Sequence, residues 1–168
     1  MKRLYKPAVF GCALFCLFSA ALRAEVEVPV TRNLHTDSQL AHEKQLPILL
    51  AFSAIDCSYC ELLEEEFLQP MLLSGDYRDK IIIRKLVLDN GSRVADFSGQ
   101  RINATRLSDR YRVYVTPTLL FVDEKGTELA ERMVGINTPE MFGGYLDDCI
   151  ETAWLMIRNP AGLSNLPG

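Results

Sequence analysis

The chain is 168 residues long, 48% hydrophobic and 24% charged, with a formal charge of -4. That balance suits one ordinary globular domain and excludes a repeat array, a disordered tail and, with only five cysteines, a disulfide-dense scaffold. The acidic sign argues against nucleic acid as a partner.

Lys2, Arg3 and Lys6 precede an uninterrupted run of apolar or small residues from Ala8 to Leu22. At 15 residues this run is shorter than the roughly 20 a membrane-spanning helix needs, and it ends in small residues. It reads as an export signal, residues 1–24, cleaved after Ala24 or at an alternative site flanked by Ser19 and Ala21. An uncleaved membrane anchor is the other reading. A lipidated cysteine fits poorly, because Gly11-Cys12 comes too early in the run and Cys16 lacks a small residue before it. Residues 1–24 carry four basic residues and no acidic one, so the 144 that remain hold 14 basic against 22 acidic, a net -8. They keep Cys57, Cys60 and Cys149. A thiol pair sent into an oxidising compartment points to redox work, since a four-residue loop restrains an unfolded chain very little.

In chain order, Thr36-Asp-Ser-Gln39 fits a capping box that opens a short helix to about Lys44. Leu46 to Ala54 is a near-continuous apolar run with Pro47 at its start, the pattern of a strand buried on both faces. Ser58 to about Leu68 are strong helix formers ended by Pro70, with Leu63 and Phe67 on one face and Glu61, Glu64 and Glu65 toward water. The cysteine pair of Asp56-Cys57-Ser58-Tyr59-Cys60 therefore sits at a strand-to-helix junction. Ile81 to Leu88 is a second strand, stopped by Asp89-Asn90-Gly91. Val94 to Asn103 fits neither pattern. A helix from about Ala104 to Arg112 leads through Val113–Thr116 and Pro117 to a third strand, Thr118 to Val122. Asp123-Glu-Lys-Gly126 turns into a fourth, about Glu128 to Val134, as a hairpin with Gly in its loop. Thr138-Pro139 opens the last helix, whose apolar positions 142, 145, 146, 149, 150, 153, 154 and 157 make one broad face. From Arg158 the chain reads as a loose tail, which leaves one domain over 25–158 and a tail over 159–168.

This element order, with C-x-x-C opening the second helix, resembles thioredoxin. Tyr111-Arg-Val-Tyr-Val-Thr-Pro117-Thr-Leu-Leu-Phe-Val122 is similar to that family's segment leading through its cis-proline strand, and Gly126, Gly135 and the final helix fall where the family has them. The likeness covers about residues 34–157. It implies an α/β thioredoxin fold, a central mixed sheet of about four or five strands flanked by helices. Among exported relatives the chain looks most like the SoxW and Dsb-type periplasmic thiol proteins, with the loop before the third helix enlarged around Arg93 to Arg101. The resemblance implies a periplasmic thiol-disulfide oxidoreductase that needs no bound cofactor and acts on protein thiols and disulfides, expected to work as a monomer. If it is a reductase, a DsbD-type membrane thiol transporter would recharge it.

At a helix N-terminus the free N–H groups and the dipole favour a thiolate by up to about 2 kcal/mol. Cys57, first in the motif, is the expected nucleophile, and Cys60, one turn inward, is placed to resolve the mixed disulfide. Thr116-Pro117, if cis as in the family, would offer backbone acceptors to an extended substrate. Asp56, Ser58 and Tyr59 are the neighbours that tune the pair. The acids Asp56 and Glu61 oppose a thiolate, each screened carboxylate at about 8 Å costing on the order of 0.5 kcal/mol, and no His or Lys lies between the cysteines. A reductant or a moderate potential follows. Tyr before the second cysteine resembles glutaredoxins and disulfide isomerases, but the nine or so residues between Ala24 and Leu34 leave no room for an isomerase's dimerisation domain.

One position departs from the resemblance. Thioredoxins keep a buried acid six residues before the first cysteine, and here that residue is Ala51, so proton transfer must take another route. Lys85 falls near the family's lysine beside that acid, and reads either as a tuner of Cys60 or as a solvated lysine at a strand edge.

Blander readings stand beside these. The pair could be a structural disulfide, or half of a zinc site whose remaining ligands would have to be His35 and His42, otherwise surface residues. The domain could be a non-enzymatic binding module whose enlarged loop around Phe97–Arg101 grips a partner or a metal. Cys149 reads as a small core residue or a third redox thiol, Tyr111, Tyr114 and Trp154 as core, and Glu64-Glu65-Glu66 as a solvated face. Asn103-Ala-Thr105 matches a glycosylation sequon too short to carry weight.

Overall fold

The computed structural model describes residues 26–89 and 91–159. The expected export signal, residue Asn90, and the expected tail from 160 onward lie outside the described residues. Every residue of β1 (Ile48–Ser53) is buried, because the strand has neighbours on both sides. It pairs parallel with β2 (Ile82–Val87) and antiparallel with β5 (Thr118–Val122), and β5 pairs antiparallel with β6 (Met133–Val134). The order β2-β1-β5-β6 is a mixed sheet with the apolar run at its centre, as the run of nine residues foretells. Alternate side chains of β1 feed two cores. Leu49 and Ala51 join Leu63, Leu119, Phe121, Phe142 and Ile150 on one face; Ile48, Leu50 and Phe52 join Leu34, Leu86, Leu107 and Leu120 on the other.

The outer edge of β2 is covered by the segment before the first helix. Lys85 N–H donates to Pro29 O at 2.8 Å, and Thr31 N–H donates to Lys85 O at 2.8 Å. No row of free backbone groups is left at that point of the edge.

α1 (Leu34–Lys44) starts a turn earlier than the capping box implies. Asn33 is its cap, its side chain accepting from Thr36 N–H, and the buried Asp37 instead accepts from Thr31 Oγ1 and from Arg84 Nε, the latter at 2.6 Å. The helix after the cysteines also corrects the reading, since it does not stop at Pro70. α2 (Ser58–Leu63) widens into a π-helical turn (Glu64–Leu68) and continues as α3 (Gln69–Ser74), ending at Gly75 in the left-handed conformation. In an α-helix the proline ring would strike the carbonyl four residues back. The wide turn, in which Gln69 N–H donates to Glu64 O, relieves that clash just before Pro70.

The stretch without a clear pattern is a hairpin, β3 (Arg93–Ala95) against β4 (Arg101–Asn103). It is closed by Asp96, which accepts from the N–H groups of Ser98 and Gln100 and from Ser98 Oγ, and which pairs with Arg110 at 2.6 Å. Arg110 lies on α4 (Ala104–Tyr111). Burial pushes the Asp96 carboxyl up, but the hydrogen bonds from Ser98, Arg110 and Gln100 outweigh it and hold it below the usual carboxylate range. A depressed folded-state value stabilises the fold above the unfolded carboxyl's pKa of about 3.9, and that contribution disappears as pH falls through the folded value. Asp96→Asn is therefore less stable than the parent at neutral pH, and the gap between their urea midpoints narrows below about pH 4 as the parent's carboxylate protonates.

β6 is shorter than the expected 128–134. Glu128 bridges Val122, yet Met133 pairs Leu119, so three steps along β5 face five along its partner. The two extra residues are absorbed in a bulge that Arg132 stabilises by donating to Tyr111 O at 2.8 Å and pairing with Glu128. α5 (Pro139–Arg158) is headed by Thr138, whose side chain makes no capping bond. Its buried face is narrower than the apolar pattern, comprising Phe142, Leu146, Ile150 and Ala153, while Tyr145 is exposed and Cys149 half-buried. Of the aromatics expected in the core, Tyr111 packs edge-on to Phe52, Trp154 is half-buried beneath Arg158, and Tyr114 is 78% exposed. Among the described residues no helix is long and apolar enough to cross a membrane.

Candidate active site

β1 delivers the chain to a tight turn at its carboxyl end, where Asp56 takes a left-handed conformation, φ 53°, and Ile55 N–H donates to Asp89 Oδ1 at 2.8 Å. That turn leaves Cys57 as the cap of α2. Its Sγ accepts from Cys60 N–H at 3.3 Å, and its carbonyl accepts from Cys60 and Glu61 N–H at 2.9 and 3.1 Å. The sulfur thus faces the free N–H end of the helix, where negative charge is stabilised. Cys57 and Cys60 are joined as a disulfide with Cα atoms 5.2 Å apart. Cys57 is partly exposed and Cys60 only 3% exposed.

From the other side Thr116 Oγ1 donates to Cys57 Sγ at 3.6 Å, ahead of a cis Thr116–Pro117 bond that leads into β5. Pro117 is buried, its carbonyl accepting from Gly135 N–H at 2.8 Å. Ile55, Tyr59, Tyr114 and Val115, the sequence neighbours of these two segments, are all more than half exposed. Ser58 and Asp56 face solvent beside them.

Behind the cysteines lies a cavity of about 400 Å3 whose walls include Ser53, Cys57, Cys60, Glu64, Lys85 and Val87. Here the structure corrects two readings. Lys85 is not a solvated edge lysine, because its side chain is 20% exposed and its ammonium sits 2.6 Å from the Glu64 carboxylate. Nor does Glu64 share the solvated face of Glu65 and Glu66, its side chain being only 18% exposed. The signal that could have found Glu64 is its spacing, four residues after Cys60 and so on the same helical face.

The remaining candidates lie elsewhere. His35 Nδ1 is 3.1 Å from Phe97 O, and His42 stands 4.0 Å from Glu124. Phe97, in the loop between β3 and β4, turns inward to pack on the core. The Cys149 thiol is pushed up by burial and by Glu131 and Asp148, a setting that keeps it protonated near neutral pH.

The sequence matches the thioredoxin-like domain family over residues 34–150. The chain belongs to that family. Similar solved structures include a thioredoxin of Malassezia sympodialis, 16% identical, covering 79% of this chain and 98% of that one with a TM-score of 0.50. A thioredoxin from Nicotiana alata is 24% identical, covering 74% and 97% with a TM-score of 0.46, and thioredoxin O2 from Arabidopsis thaliana is 21% identical, covering 73% and 90% with a TM-score of 0.49. No curated protein matches significantly. A thioredoxin-like domain carrying the Cys57–Cys60 pair is a thiol-disulfide oxidoreductase. Ala51, six residues before Cys57, pairs with Lys85 across the β1–β2 ladder.

Proposed function

We propose that this oxidoreductase is exported to the periplasm and works there as a reductant of protein disulfides, with Cys57 as nucleophile and Cys60 as resolving thiol. The Cys57 thiolate attacks a substrate disulfide and forms a mixed disulfide. Cys60 then attacks Cys57 Sγ, releasing the reduced substrate and leaving the pair oxidised. Thr116, beside Cys57, offers its backbone to an extended substrate segment, while the buried Pro117, whose carbonyl is taken by Gly135 N–H, holds it in place. The exposed Ile55, Tyr59, Tyr114 and Val115 offer that segment apolar contacts. Asp56, Ser58 and Tyr59 set the potential from the solvent side.

The observation that carries the reductant reading is the set of groups on Cys57 Sγ. Its hydrogen-bond donors are neutral, the N–H of Cys60 and the hydroxyl of Thr116, while the lysine of the adjoining cavity is committed to Glu64. Strong oxidants stabilise their thiolate, and with it the reduced form, more than a helix end alone achieves. Export is supported by the basic and then apolar leader of residues 1–24. A reductant in an oxidising compartment must be recharged by dithiol exchange, in the manner of a DsbD-type membrane donor.

Equilibration with glutathione measures the direction. A reduction potential near roughly -270 mV, that of thioredoxin, is expected, and one near roughly -120 mV would place the protein among the oxidants.

A further inference from the structure

We infer that Glu64 is the proton acceptor for Cys60 and that Lys85 positions it, so that the acid-base group serving the resolving thiol stands on the active-site helix and not on the central strand. The inference rests on the thiol-exchange reading above. Resolution of the mixed disulfide requires Cys60 to lose a proton, and Cys60 is almost fully buried, where a charged sulfur is disfavoured without a nearby partner. β1 supplies no such group, since Ala51 stands at the position facing Lys85.

Glu64 lies one helical turn beyond Cys60, its N–H donating to Cys60 O. Both side chains line the same cavity. Lys85 is fixed on the opposite wall by backbone bonds to Pro29 and Thr31 on one side and by pairing with Ala51 on the other. Its ammonium, 2.6 Å from Glu64 Oε2, holds the carboxylate against that wall. The other charged residues lining the cavity are Asp56, Glu61 and Glu65, all exposed. Ser53 and Gln69 are neutral, and the nearby Asp89 accepts from Ile55 N–H.

In the step assigned to it, the Glu64 carboxylate takes the proton from Cys60 Sγ, directly or through a water, for which a polar cavity of this size has room. The Cys60 thiolate attacks Cys57 Sγ. The Cys57–Cys60 bond forms, and the bond from Cys57 to the substrate sulfur breaks with its electron pair on the leaving sulfur, which takes up a proton. The cysteine pair is oxidised and the substrate disulfide is reduced. Glu64 then returns its proton to solvent through the cavity mouth.

Stopped-flow reaction of the reduced protein with dithiobis-nitrobenzoate separates the steps, with Cys12, Cys16 and Cys149 replaced by alanine so that the pair alone reports. Attack by Cys57 releases one nitrobenzoate thiolate, and resolution by Cys60 releases the second. Glu64→Gln is expected to leave the first release nearly unchanged and to slow the second by about 10-fold or more near neutral pH. The deficit closes as pH rises and hydroxide replaces the carboxylate. Glu64→Asp recovers part of the rate, and Lys85→Met, which leaves the carboxylate unanchored, slows the second release by a smaller factor. Glu66→Gln, which removes one charge from an exposed position on the same helix, changes neither release. A second release in Glu64→Gln that equals the parent's at every pH, or that is slowed by one constant factor at every pH, overturns the assignment. Loss of the first release in the parent itself would instead remove the thiol-exchange reading.

Discussion

Replacing Cys57 by serine brings insulin reduction by the dithiol form down to the uncatalysed background, while replacing Cys60 by serine traps the enzyme on its substrate. The two outcomes differ because the two sulfurs do different work. Cys57 caps α2, is partly open to solvent and accepts from Cys60 N–H and the Thr116 hydroxyl, so it is the sulfur a substrate disulfide can meet. A serine hydroxyl there is almost wholly protonated at neutral pH and is a far weaker nucleophile. Cys60, 3% exposed, is reached only by the sulfur bonded to Cys57. Without it the mixed disulfide has no internal exit, and a covalent adduct that a reductant dissolves should accumulate on a non-reducing gel. Cys149 does not substitute for either, its thiol being held protonated by burial and two carboxylates. Full insulin reduction by Cys57→Ser would mean that the chemistry lies elsewhere in the chain.

Gly126→Ala should destabilise the domain more than any other exchange of a glycine for alanine in it. Gly126 has φ 83°, and a Cβ built on it runs into the Tyr111 hydroxyl and the Phe97 ring. The left-handed conformation costs an L-residue about 1–2 kcal/mol, and forcing aside packed neighbours costs typically about 1–3 kcal/mol. Together they amount to roughly 2–5 kcal/mol, a fall in Tm on the order of 10 °C for a domain of this size. The hydroxyl displaced is the one that donates to Gly126 O at 2.8 Å, so the β5–β6 turn and the β3–β4 hairpin loosen together. Gly144→Ala is the contrast. It sits within α5 with no atom near its missing Cβ, and alanine there should be neutral or stabilising by up to about 1 kcal/mol. Equal melting temperatures for the two variants, followed by circular dichroism, would show that Gly126 is not the packing constraint described here.

Much of the architecture is legible along the chain because it is set by neighbours. The run from Leu46 to Ala54 has the composition of a strand with no solvent face, and β1 is central. The strand, C-x-x-C and helix-former succession places the cysteines at a helix start, where the structure has them. Readings slipped where a local rule met a longer-range accommodation. Pro70 is a sound stop signal until a π-helical turn makes room for its ring, and the expected fourth strand loses most of its length to a bulge held by Arg132 and Tyr111, 21 residues apart.

The site divides in the same way. The identity of the reactive pair, its helix-end setting and the Thr-Pro-Thr approach were contained in short stretches of sequence, because each depends on backbone geometry only a few residues long. That Glu64 and Lys85 meet beneath Cys60 depends on the parallel register of β1 with β2 and on how α2 lies across them. No local pattern encodes that meeting, since an ion pair between residues 21 positions apart exists only once the sheet has chosen its neighbours and burial has left each charge no better partner.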